Sequence, residues 1–164
     1  RGLTDVAVGL LWDPEAVETA FAAGQGAELD MRIGGRCGHF SGEPLDLRVR
    51  VIELTEGKRQ QLFTEEQRVP LGRTALVEAG GIQIVLNDLR QQAMHPTAFT
   101  EAGCDPWEKR LVVVKSSQHF YGGFAPHASE VLYCNAPGAM NSDVLERPYT
   151  KIGRPIWPLD DVEF

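Results

Sequence analysis

Two segments carry residue types that could do chemistry. The first is Lys115-Ser116-Ser117-Gln118-His119, which closes a continuously apolar run. A charge at the end of such a run must reach solvent or a partner. Ser116 and His119 are three residues apart and become neighbours if the segment turns helical. Such a turn also points backbone N–H groups at a carboxylate or phosphate. The pattern suits a substrate-anion or orienting site using Lys115, Ser116, Ser117 and His119. A Ser–His nucleophile pair would need a third, orienting residue, and the sequence assigns none. The bland alternative is that Ser116 or Ser117 caps a short helix running through Phe120 and Phe124, with His119 half-buried and Lys115 snorkelling. The second segment is Gly34-Gly35-Arg36-Cys37-Gly38-His39, with Ser41 and Gly42 beyond it. Its amides can form an anion nest, and Arg36 and His39 are candidates to face a cleft. It has neither the G-x-G-x-x-G spacing nor a P-loop, so a nucleotide site is disfavoured. It can equally be a tight bend.

The elements that would position these residues follow from patterning. Val6 to Leu11 is an apolar run suited to a strand covered on both faces. Asp13-Pro14-Glu15 then reads as a helix start, with Asp13 as cap, and Gly24 or Gly26 as its end. Glu28 to Ile33 reads as a second strand, so the opening is expected to be a βαβ unit. From Leu45 apolar and polar residues alternate, and Gly80-Gly81 separates two strand-like runs, Thr74–Glu78 and Ile82–Leu86. Residues 43–90 therefore read as an antiparallel meander inserted in an α/β frame. Leu111–Lys115 and Glu130–Cys134 supply further frame strands. The expected fold is α/β, a mixed and mostly parallel sheet flanked by helices. If the frame strands are parallel, Asp13, the Gly34 loop, the Lys115 segment and Asn135 to Gly138 lie on one edge. The Pro- and Gly-rich tail, from Ala136-Pro137-Gly138 through Arg147-Pro148 to Trp157-Pro158, suits an irregular surface segment.

Composition narrows the function classes. The 164 residues are 43% hydrophobic and 24% charged, with a formal net charge of −7. That length suits a single domain, 1–164. The acidic balance argues against a nucleic-acid partner and against docking on anionic lipid. No apolar run approaches the length of a membrane helix. Three scattered cysteines, Cys37, Cys104 and Cys134, give neither a full disulfide set nor paired metal-ligand spacing, which favours a reducing, cytoplasmic setting. No histidines stand at i, i+4, so a helical zinc motif is absent. Arg1-Gly2-Leu3-Thr4 reads as a cut inside a longer chain.

Taken in order, Val8-Gly9-Leu10-Leu11-Trp12-Asp13-Pro14-Glu15-Ala16-Val17, Arg32-Ile33-Gly34-Gly35-Arg36, Ser41-Gly42-Glu43-Pro44-Leu45, Val113-Val114-Lys115-Ser116-Ser117-Gln118-His119-Phe120, Ala136-Pro137-Gly138 and Arg154-Pro155-Ile156-Trp157-Pro158-Leu159-Asp160 resemble the C-terminal domain of the microcystinase C (MlrC) family of metallopeptidases. The resemblance implies a two-domain hydrolase of peptide-like amides. An N-terminal domain would carry the metal, zinc, and this part would shape one wall of the cleft. The fragment is then expected to hold no cofactor and to be inactive alone, with its own N-terminal domain and a small peptide-like substrate as partners. One departure stands out: relatives are expected to carry Arg after His-Phe, where this chain has Tyr121-Gly122-Gly123, which implies a different substrate. The competing reading is a non-catalytic small-ligand-binding or oligomerisation module, with the meander as contact surface and a homo-oligomer as its assembly.

Overall fold

The structure, a computed structural model, describes residues 2–136 and 149–162. Among the described residues there are eight strands: β1 (Val6–Trp12), β2 (Glu28–Ile33), β3 (Leu45–Thr55), β4 (Arg59–Gln61), β5 (Arg68–Pro70), β6 (Thr74–Ala79), β7 (Ile82–Asn87) and β8 (Leu111–Val114). Helix α1 spans Pro14–Ala23, and α2 (Thr97–Thr100) and α3 (Tyr121–Phe124) are single turns. Six strands form one sheet in the order β2-β3-β6-β7-β1-β8, while β4 and β5 pair separately.

The apolar run of β1 becomes an inner strand, parallel to β7 on one side and to β8 on the other. The alternation in β3 puts Val49 and Val51 in the core and leaves Asp46, Arg48 and Arg50 exposed. Gly80 and Gly81, both at positive φ, join β6 to β7 as the hairpin expected. Asp13 caps α1 through Oδ1 and the Ala16 amide at 3.1 Å, Pro14 occupies the first turn, and Gly24 at φ 85° ends the helix.

The sheet is mixed, as expected, but the balance differs. Three of its pairings are antiparallel and two are parallel. The reason is that the meander is no appendage. Its strands β3, β6 and β7 form the middle of the same sheet. The opening is consequently not a βαβ unit: β2 lies at the far edge, antiparallel to β3, with three strands between it and β1. Glu130–Cys134 is not a strand either; it runs irregularly, with Leu132 and Tyr133 exposed. Residues 149–162 are also irregular, pinned where Asp160 accepts from Arg154 and from the Ile156 amide. Pro137-Gly138 and Arg147-Pro148 lie outside the described residues.

β3 is long enough to serve two neighbours in succession. Leu45–Arg50 pair with β2, and Arg50–Thr55 pair with β6 across a bulge at Ile52. A bulge adds local twist. The β2–β3 ribbon therefore curls over the face that carries α1, until Gly34 donates to Asp13 Oδ2 at 2.8 Å. One core lies under α1, where Val17 and Ala20 meet Met31, Val49, Val77 and Leu86. The other lies on the opposite face, where Leu10, Leu76 and Val85 pack with Phe99, Phe120 and Phe124.

The strand-to-helix connection after β7 is organised by polar side chains. Gln60 is fully buried; its Nε2 donates to the Gln92 carbonyl at 2.8 Å and its Oε1 accepts from the Met94 amide at 3.0 Å. His95 Nδ1 accepts from the Thr97 amide at 3.3 Å and lies 3.1 Å from the Thr97 hydroxyl. Partial burial, with Arg68 nearby, lowers the His95 pKa below its ordinary value.

Two outcomes follow. Asp13→Ala should cost about 2–4 kcal/mol in urea unfolding, because it removes a cap, a buried amide partner and one side of an ion pair. Asp13→Asn, which can still cap α1, should cost less. A folded-state pKa depressed for His95 means that its neutral form supports the fold above the ordinary histidine pKa, and that this support is lost as pH falls below it. The melting temperature should fall between pH 7.5 and 5.5 by about 2 °C more in the wild type than in His95→Gln. Equal falls would show that His95 does not couple folding to protons.

Candidate functional site

Because β1 and β8 run parallel, Asp13 and Lys115 follow strand ends at the same edge. The Gly34 loop reaches that edge by a different route, through the curl of an antiparallel ribbon. Arg36 follows and enters a carboxylate pair: its Nε lies 2.9 Å from Asp13 Oδ1 and its Nη1 2.5 Å from Glu15 Oε2. The contact with Asp13 is a charge contact, since the Nε–H is not aligned for a hydrogen bond. Asp13 is fully buried, whereas 28% of the Arg36 side chain is exposed. With two carboxylates already facing it, Arg36 anchors the loop more than it offers a free cation to an anionic substrate. Cys37 and His39, next in the loop, are exposed.

Between the curled ribbon and the β1–β7 face is a cavity of about 420 Å³. Val8, Ile33, Leu47, Ile82 and Ile84 line it, and Ser41 and Glu43 stand at the loop side. Its volume falls in the range of small-ligand sites, and its lining suits an apolar group.

The second segment gathers around a residue that the spacing did not reveal. The Ser116 hydroxyl donates to Gln92 Oε1 at 3.1 Å, and the same oxygen lies 3.4 Å from His119 Nδ1. The His119 ring stands edge-on to Phe63, with centroids 5.7 Å apart. Lys115, Ser117 and His119 are exposed, and the Lys115 amide is tied to the Gly9 carbonyl at 2.7 Å. Neither serine caps a helix: α3 begins only at Tyr121, with Phe120 at its cap position and no side-chain cap bond. A four-residue turn offers no helix N-terminal anion site, so that part of the expectation does not hold. His119 is exposed, not half-buried. Gln92 is placed by the buried Gln60, and nothing in the sequence distinguishes that glutamine from an exposed one.

The cysteines also divide. Cys104 is buried and donates to Gln83 Oε1 at 3.2 Å; burial pushes its thiol up to about 11, which keeps it unreactive. Cys37 and Cys134 are exposed. Among the described residues, no three His, Cys, Asp or Glu side chains come together as a metal set. The residues described therefore do not fit a zinc centre of their own. No helix among them is long and apolar enough to cross a membrane.

Over 155 residues the chain is 37% identical to Microcystinase C of Sphingomonas sp., covering 94% of this chain and 29% of that protein. The fold is similar to the crystal structure named "Putative metallopeptidase from Mesorhizobium sp. BNC1", with a TM-score of 0.81 at 24% identity, covering 98% of this chain and 32% of that one. The chain thus spans less than a third of the length of either protein. Residues 1–151 match the family described as MlrC C-terminus, and by that match this chain belongs to the MlrC C-terminal family.

Proposed function

We propose that the chain is the C-terminal part of a metal-dependent hydrolase of peptide-like amides, and that it forms one wall of the substrate cleft. The family match over residues 1–151 carries this reading. The names of the two relatives point the same way, and both are more than three times as long. In this reading an N-terminal domain holds the metal, zinc. Domain 1–164 then works in the cytoplasm as the C-terminal part of a two-domain enzyme, with its own N-terminal domain as its first partner.

Each side chain at the edge has a defined capacity. Lys115 and Ser117, exposed after β8, can meet a substrate carboxylate or carbonyl. Ser116 and His119 are oriented by Gln92. Arg36 holds the Gly34–His39 loop against Asp13 and so presents His39. The cavity beneath the ribbon can receive an apolar side chain of the substrate. No chemical step is assigned to this chain alone. Exposed Phe40, Leu132, Tyr133 and Trp157 are apolar surface suited to contact with another domain.

The test compares the 164-residue chain with the longer protein encoded by its reading frame. Metal content is measured by plasma mass spectrometry, and cleavage of a peptide panel by mass spectrometry. The longer protein should carry about one zinc per chain and cleave amide bonds, and the 164-residue chain should do neither. Stoichiometric zinc or peptide cleavage in the short chain would overturn the division of labour. A longer protein without metal or activity, together with self-association of the short chain in light scattering, would favour the ligand-binding or oligomerisation module.

A further inference from the structure

We infer that Gln92 is a positioning residue that fixes the tautomer of His119, leaving Nε2 as the lone-pair nitrogen of an exposed ring. A neutral imidazole carries one proton, and the nitrogen that holds it is set by the partner of the other nitrogen. The partner here is an amide oxygen. Gln92 Oε1 already accepts from the Ser116 hydroxyl at 3.1 Å, and it faces His119 Nδ1 at 3.4 Å. An oxygen can only accept, so the His119 proton belongs on Nδ1. The edge-on contact with Phe63 restrains the ring plane.

Gln92 can do this because its backbone is held independently. Its carbonyl accepts from fully buried Gln60, and neighbouring Gln91 donates to the Pro70 carbonyl at 2.7 Å. The β4–β5 hairpin therefore sets where the Gln92 side chain starts. His95 provides the opposite case within the same loop. Its Nδ1 accepts from the Thr97 amide, which puts its proton on Nε2. Two histidines, one in the β7–α2 connection and one after β8, are thus held in opposite tautomers by different neighbours.

The consequence at the edge is that His119 presents an acceptor. Such a nitrogen takes a hydrogen bond from an amide N–H or from water. That the donor is a substrate amide rests on the hydrolase reading; the tautomer itself does not.

The experiment is a long-range ¹H–¹⁵N correlation spectrum of the imidazole rings in the ¹⁵N-labelled 164-residue chain at about pH 8, with peaks assigned by His119→Gln and His95→Gln. His119 should be mainly in the Nδ1–H form and His95 mainly in the Nε2–H form. In Gln92→Leu, His119 should move toward the Nε2–H form while His95 stays unchanged, which also reports that the fold is intact. An Nε2–H His119 in the wild type would overturn the inference, and that spectrum decides even if Gln92→Leu does not fold. An unaltered His119 in folded Gln92→Leu would overturn it as well. In the longer protein, Gln92→Leu should lower kcat by about tenfold. If that protein cleaves no peptide while His119 is Nδ1–H and dependent on Gln92, the hydrolase reading fails and the positioning role of Gln92 stands.

Discussion

A carboxylate with no exposed surface holds three parts of this molecule in relation to each other. Asp13 starts α1, receives the Gly34 amide from the tip of the β2–β3 ribbon, and faces the Arg36 guanidinium. Its own amide donates to the Asn87 carbonyl at the end of β7. Burying an ionised carboxylate is costly unless it is paired and hydrogen-bonded. Two amides and one cation meet that condition, but only when helix, ribbon tip and strand ends are all in place. The group is therefore worth little in a partly folded chain and much in the complete one. This is how a single side chain can enforce a long-range arrangement.

The curl of the ribbon depends on that closure. Without it, the first half of β3 would extend past β6 with only β2 beside it. A two-stranded ribbon has little stability alone. With it, Ile33 and Met31 pack beneath α1, and a cavity opens between ribbon and sheet. The ribbon's outer face is knit by charge, with Arg32 bidentate to Asp46 at 2.8 and 2.9 Å. The candidate loop thus hangs from a structural ion pair on one side and an exposed charged ribbon on the other.

The parts legible in the sequence were local. Asp13-Pro14-Glu15 marked a helix start, alternation from Leu45 marked a two-faced strand, and Gly80-Gly81 marked a hairpin. Each depends on neighbours a few residues away. Strand order was not legible, because the pattern of β2 does not say whether it returns to β1 or pairs, as it does, with β3. The run Glu130–Cys134 has strand-like composition but no sheet neighbour; Tyr133 instead packs against Phe120, with ring centroids 5.9 Å apart. Short apolar runs do not specify their partners. At the candidate site, the Lys115–His119 segment could be noticed from its residue types. Gln92 could not, since its role comes from Gln60, fully buried and more than thirty residues upstream. Ordered motifs identified the family where physical patterning alone stopped at α/β.

The position of β1 has a consequence for how the molecule comes into being. It precedes both of its neighbours by a long stretch of chain: Val6 pairs with Ile82 and with Leu111. Until those segments are made, an apolar strand with two bare edges waits for partners. Such edges recruit other chains readily, and distant pairing is slow to form. The strand around which the sheet is finally assembled is therefore the one that a growing chain must shelter longest.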